Sequence, residues 1–335
     1  MTQPGDAGRS GHAAQAVSGD ASPRDRARSE TRRRLLACVA SVGGAAGGVP
    51  GGAGATTSPP PDGVRPHPEP VRSWVATGDG VRLSMLTLDA GGGGVPLLFV
   101  PGWCLPGEIW LPQMRRLAPD RRVHALDPRG QGDSEVPQRG YDADRRADDL
   151  FDAIEALGRP VIVVAWSLAG VELLHGLPRR GERGLAGVVL VDASLGEGPA
   201  GSGEGVAAFR RALREDRPAA LVDFAGAIFR RPQPAARIES LAAAMARVPL
   251  EASLGMLDWG LDRSRLRAAA RGLRAPLQVA VTPQYREQAR LHAAARPATR
   301  VELFEDAGHA LFDDEPDRFA AMLAGFAAVA DRRRR

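Results

Sequence analysis

From about residue 74 onward, short apolar runs alternate with stretches of helical period. Residues 95–100, 123–126, 160–165, 185–191, 277–281 and 300–304 are rich in Val, Leu, Ile and Phe. Runs as continuous as these suit strands covered on both faces. Between several of them, residues 145–157, 169–177 and 317–330 repeat apolar side chains at helical spacing. This alternation predicts an α/β domain: a mostly parallel central sheet with helices on both faces. Residues 74–77 and 81–86 flank Gly78-Asp79-Gly80, whose turn chemistry permits positive φ and predicts a hairpin. Residues 195–270 break the alternation; they are Ala/Arg/Leu-rich and are expected to form a helical cap insertion. The tetraglycine at 91–94 precedes a strand, whereas a dinucleotide fingerprint follows one, so it is expected to be a loop.

The first 55 residues do not fit this pattern. Residues 1–31 are polar and rich in Gly, Ala and Ser, too poor in apolar surface to order themselves. Thr31-Arg32-Arg33-Arg34-Leu35-Leu36 then opens an uncharged run that ends in Ala53-Gly54-Ala55. This segment resembles a twin-arginine export signal, with paired arginines, a weakly hydrophobic stretch and a small-x-small cleavage site. A disordered leader and a membrane anchor are the competing readings, though many glycines and Pro50 make a poor lipid-facing helix. The expectation is export to the periplasm or beyond if the leader acts as a signal, and a cytoplasmic protein otherwise. A Pro-rich linker at 56–72 follows, and the α/β domain is expected over 73–335. With cleavage after Ala55 only Cys104 would remain, so stability must come from the packed core and not from a disulfide.

All 44 basic residues of the 335 are arginine. A chain without lysine has no P-loop lysine, no Schiff-base lysine and no kinase strand lysine, which excludes those chemistries. The net charge of +4 is unevenly placed: residues 1–55 hold 7 Arg against 4 acids, and four more arginines form the terminal run 332–335. The body between is slightly acidic, so the charge does not point to nucleic acid. A small-molecule substrate is the expected partner, and no stable membrane span is expected.

The candidate chemistry lies where strands meet loops. Val164-Ala165-Trp166-Ser167-Leu168-Ala169-Gly170 runs from an apolar strand straight into a helical pattern, as a nucleophile elbow does. Alanine stands at 165 and 169, where glycine is usual, and a serine there alone would also read as a helix N-cap. Of six histidines, His12 and His67 lie in the leader or linker, His124 in a strand, and His175 and His292 on helices. His309 falls in a loop after a strand, where open α/β sheets place ligand chemistry, and is the candidate base. In Val100-Pro101-Gly102-Trp103-Cys104, the Trp103 N–H could join that of Leu168 in stabilising an oxyanion.

Together with Asp127-Pro128-Arg129-Gly130-Gln131-Gly132-Asp133-Ser134, these elements in this order resemble the α/β-hydrolase superfamily, from about Trp74 to the last helix. Pro101 stands where the family usually has His. The resemblance implies Ser167 as nucleophile, His309 as base, and Trp103 with Leu168 as oxyanion hole. Many members carry the acid after the strand corresponding to 277–281, yet Thr282-Pro283-Gln284-Tyr285 has none there. Asp192, one strand earlier, is the candidate acid, with Glu287 and Asp258 as alternatives and Asp133 as a loop carboxylate. A serine at the elbow implies acyl transfer on an ester, thioester or lactone, without metal or cofactor. A cofactor-free dioxygenase of this fold and an inactive binding or scaffold protein remain as other readings. Trp166 and Cys104, with Trp103, are the candidate substrate-bordering residues. Phe209, Phe224 and Met245 of the insertion read either as an acyl pocket or as its own core and seam.

Overall fold

The structure, a computed structural model, describes residues 69–333. The leader and the linker up to residue 68, with His12 and His67, lie outside the described residues. Eight strands form one sheet in the order β1-β2-β4-β3-β5-β6-β7-β8. They are β1 (Val71–Ala76), β2 (Arg82–Gly93), β3 (Leu97–Val100), β4 (Arg121–Leu126), β5 (Val161–Trp166), β6 (Leu185–Val191), β7 (Leu277–Val281) and β8 (Arg300–Leu303). β1 pairs antiparallel with β2, and β2 with β4; the other pairs are parallel.

Alternate residues of a strand face opposite sides, and β5 shows why its run is apolar throughout. Ile162, Val164 and Trp166 join one core with Phe99, Val189 and Val191, while Val161, Val163 and Ala165 join the other with Leu98, Val188 and Leu190. The first core is closed by α1 (Leu111–Leu117) and by α11 (Pro316–Arg333), through Met114, Phe319, Leu323 and Phe326. The second is closed by α2 (Ala143–Ala156) and α3 (Leu168–Arg180), through Leu150, Phe151, Leu173 and Leu174.

Between β6 and β7 the chain inserts α4 (Glu204–Glu215), α5 (Arg217–Ala227), α6 (Ala235–Met245) and α7 (Leu250–Met256), then α8 (Arg263–Gly272). The sequence pattern groups most of α8 with the insertion, but Leu266 and Ala270 pack into the core beneath α3. α8 is therefore the crossover helix into β7. α9 (Arg286–Ala295) leads into β8, and the short α10 (Leu311–Asp314) precedes α11.

The tetraglycine corrects an expectation. β2 extends to Gly93, which pairs with Arg121 beyond an irregularity after Leu88. A β-carbon on Gly92 would lie 2.1 Å from the Asp120 carbonyl carbon, so Gly92 lets two backbones approach, and residues 91–93 continue the strand instead of making a loop. The hairpin turn is formed as predicted, with Thr77 N–H donating to Val81 O and Gly80 N–H to Thr77 O, both at 2.9 Å. No helix among the described residues is long and apolar enough to cross a membrane.

Candidate active site

Ser167 directly follows β5 and precedes α3, with φ 57° and ψ −117°. Among the described residues three non-glycine residues have positive φ: Cys104, Ser167 and Asp192. Such a conformation costs on the order of 1–3 kcal/mol and persists only where the surroundings enforce it. Each of the three belongs to a different part of the candidate site. Only the Ser167 strain is readable from sequence, through the strand-to-helix junction.

Ala165 and Ala169 are fully buried and fill the elbow's small positions. The close approach falls to Gly170, where a β-carbon would lie 2.6 Å from the Ala193 Cβ. Gly102 lies against the serine: a β-carbon there would be 3.0 Å from Ser167 Cβ and 3.5 Å from its Oγ. The turn closes with Leu105 N–H donating to Gly102 O at 3.3 Å, and Cys104 takes positive φ at its third position. Leu168 is the first residue of α3, where the opening N–H groups of a helix have no intrahelical acceptor.

Asp192 follows β6 and is fully buried. Its Oδ2 lies 2.7 Å from His309 Nδ1. Its Oδ1 accepts from the Thr282 N–H at 2.8 Å and from the Thr282 hydroxyl at 2.9 Å. The strand end that lacks an acid thus supplies the hydrogen bonds to the neighbouring strand's acid, a role that sequence reading missed. Glu287 and Asp258 are exposed and paired with Arg290 and Arg210. Asp133 pairs with Arg72 at 2.7 Å. Of the remaining histidines, His175 contacts Asp144 at 2.8 Å, His124 contacts Thr87 at 2.8 Å, and His292 is buried beside Glu197.

The loop carrying His309 is clamped to the insertion. Ala310 N–H donates to Ile228 O at 2.8 Å. The Asp314 carboxylate accepts from the N–H groups of Gly308 at 2.8 Å and of Arg230 and Arg231 at 2.9 Å. A β-carbon on Gly308 would lie 2.6 Å from Arg230 N, so that contact demands glycine.

Two candidate substrate-bordering side chains are placed otherwise. Trp166 points into the sheet's first core and is fully buried; its Nε1–H donates to His309 O at 3.0 Å, and its ring lies 5.2 Å from the His309 ring. An indole at the end of an apolar strand is driven into the core, and from there it holds the His309 carbonyl. Cys104 is also fully buried, and burial pushes its thiol pKa far up, leaving it unreactive. The Trp103 ring sits edge-on to Phe209 and Phe224, and its Nε1–H donates to Ser253 O at 2.8 Å. Phe209 and Phe224 therefore form the seam between insertion and sheet.

A model described as the alpha/beta hydrolase family matches residues 97–322. The chain is 39% identical over 104 residues to a non-heme chloroperoxidase of Kitasatospora aureofaciens, which covers 30% of this chain and 38% of that protein's length. It is 28% identical over 266 residues to a pimeloyl-[acyl-carrier protein] methyl ester esterase of Vibrio vulnificus, covering 70% of this chain and 95% of the relative. The fold is similar to an esterase from Exiguobacterium antarcticum, with TM-score 0.69, 21% identity, 77% of this chain and 100% of that one covered.

Proposed function

The chain belongs to the alpha/beta hydrolase family, and on that premise we propose that it is a serine hydrolase cleaving an ester, thioester or lactone through an acyl-enzyme on Ser167. The observation that carries this reading is the buried Asp192–His309 contact of 2.7 Å, together with the strained backbone of Ser167 at the end of β5, the strand paired with the one that ends at Asp192. The esterase name of the relative aligned over 95% of its length supports the substrate class.

In the proposed reaction the Ser167 hydroxyl attacks the carbonyl carbon, and His309 Nε2 takes its proton. The Trp103 and Leu168 N–H groups stabilise the oxyanion. Collapse expels the alcohol or thiol, which takes the proton from His309, and leaves the acyl group on Ser167. His309 then deprotonates a water that attacks the acyl ester, and a second collapse returns the proton to Ser167 and releases the acid. Asp192 holds the ring with Nδ1–H facing it and offsets the charge the ring gains. Thr282 saturates the carboxylate's other oxygen.

The test is hydrolysis of p-nitrophenyl esters and labelling by a fluorophosphonate, with Ser167→Ala as control. Labelling and turnover lost in the variant support the proposal; a folded parent that does neither refutes it. As a separate proposal, the arginine-paired leader directs export. Fractionation of the full chain against an Arg32→Lys, Arg33→Lys variant tests this, and unchanged distribution would count against it.

A further inference from the structure

Gln131 lies in the loop after β4 and is fully buried. Its amide NH2 donates to Gly102 O at 3.0 Å and to Leu105 O at 2.6 Å. Its Oε1 accepts from Arg146 Nη2 at 3.0 Å. Arg146, buried on α2, also donates to Arg129 O at 3.0 Å and pairs with Glu172 Oε1 at 2.7 Å. Glu172 is buried on α3, the helix that begins immediately after Ser167. The amide can point only one way: reversing it would set its oxygen against two carbonyls and its NH2 against a guanidinium. The chain Glu172–Arg146–Gln131 thus starts on the helix presenting the serine and ends on the turn lying against that serine.

Burying an ion pair and an amide in series stabilises a fold little compared with apolar packing of equal volume. The atoms at its end suggest what it does instead. The Gly102 carbonyl and the Trp103 N–H belong to one peptide unit, and in a trans peptide they point in opposite directions. Fixing the carbonyl from one side fixes the N–H on the other. We propose that Gln131 is the positioning residue of the oxyanion hole: it anchors the Gly102–Trp103 peptide so that the Trp103 N–H faces the carbonyl under attack at Ser167. This rests on the serine-hydrolase reading above. Arg146 and Glu172 hold the amide in the donating orientation.

The test compares Gln131→Glu with the parent full chain on a p-nitrophenyl ester, with rates normalised to fluorophosphonate-titrated Ser167. Glutamate keeps the volume and the Arg146 contact but sets an oxygen against the Gly102 and Leu105 carbonyls. Losing one oxyanion donor costs about 10²–10³-fold, so tilting one away is expected to lower kcat about 10- to 100-fold, with KM within about twofold. The affinity for a trifluoromethyl ketone, which mimics the tetrahedral adduct, falls by the same factor as kcat/KM. A purely structural role would lower the titre or the melting temperature and leave kcat per titrated site and relative ketone affinity unchanged; that result overturns the inference and leaves the serine-hydrolase reading intact. If Gln131→Glu does not fold, Gln131→Met, which keeps the shape without the donor, carries the same expectations. A folded parent without Ser167-dependent turnover overturns both.

Discussion

Thr282 donates its backbone N–H and its hydroxyl to a single oxygen of Asp192, at 2.8 and 2.9 Å, and leaves the other oxygen to His309 Nδ1. One carboxylate is thereby locked between two strand ends. In Thr282→Val the buried carboxylate loses a charge-assisted bond, a loss of about 1.5–3 kcal/mol. Urea unfolding should register that loss, and kcat should fall about tenfold as the ring loses orientation. Thr282→Ser, which keeps the hydroxyl, should retain most of both.

Asp192→Asn preserves shape but offers an amide in place of the charge that stabilises the imidazolium. By analogy with other hydrolase triads, kcat should fall about 10³- to 10⁴-fold, with little change in KM. Glu287→Gln and Asp258→Asn, exposed and paired with arginines, should leave kcat within about twofold. A large effect at either would move the acid's role away from Asp192.

Acid stability should be limited in part by buried histidines. Burial pushes the His124 imidazole down to about 4 and lowers His292 as well. Between pH 4 and 6.5 the unfolded chain binds protons that the folded chain refuses, so stability rises with pH across that window and is lost as pH falls. Integrated over that window, His124 accounts for on the order of 3 kcal/mol of stability. Carboxylates with lowered pKa, such as Asp152 and Glu182, act with the same sign at the acid end. Urea unfolding of His124→Gln at pH 4.5 to 6.5 should give a shallower slope than the parent; an equal slope would contradict this account.

Gly170→Ala forces a methyl toward Ala193, where the gap allows 2.6 Å. Overpacking costs about 1–3 kcal/mol, partly offset by alanine's better helix propensity. Ala193 is the residue after Asp192, so activity should fall along with stability. The double variant Gly170→Ala, Ala193→Gly should recover much of both, because the two substitutions meet at one contact.

The sheet was legible because its strands are buried on both faces, and continuous Val/Ile/Leu runs such as residues 161–166 have few other homes. The glycines after Leu88 misled because composition suggests a loop, while at Gly92 the need is backbone approach to Asp120, a residue far along the chain. Local pattern singled out Ser167 and His309 through the junction and the loop that hold them. Thr282, Gln131 and Asp314 were invisible as site-building residues, since each acts on partners far away in sequence: Asp192, the 102–105 turn, and Arg230 with Arg231. Trp166 was misplaced because adjacency to the serine says nothing about the face on which alternate side chains of a strand emerge.

The clamp between the His309 loop and residues 228–231 ties chemical competence to a contact between two segments and not to the sheet alone. Hydrogen bonds of this kind open at free energies below that of global unfolding. A rise in temperature or denaturant that releases the insertion would unseat the imidazole while the strands remain paired. Loss of turnover would then precede loss of the circular dichroism of the sheet, and cooling would restore it without refolding.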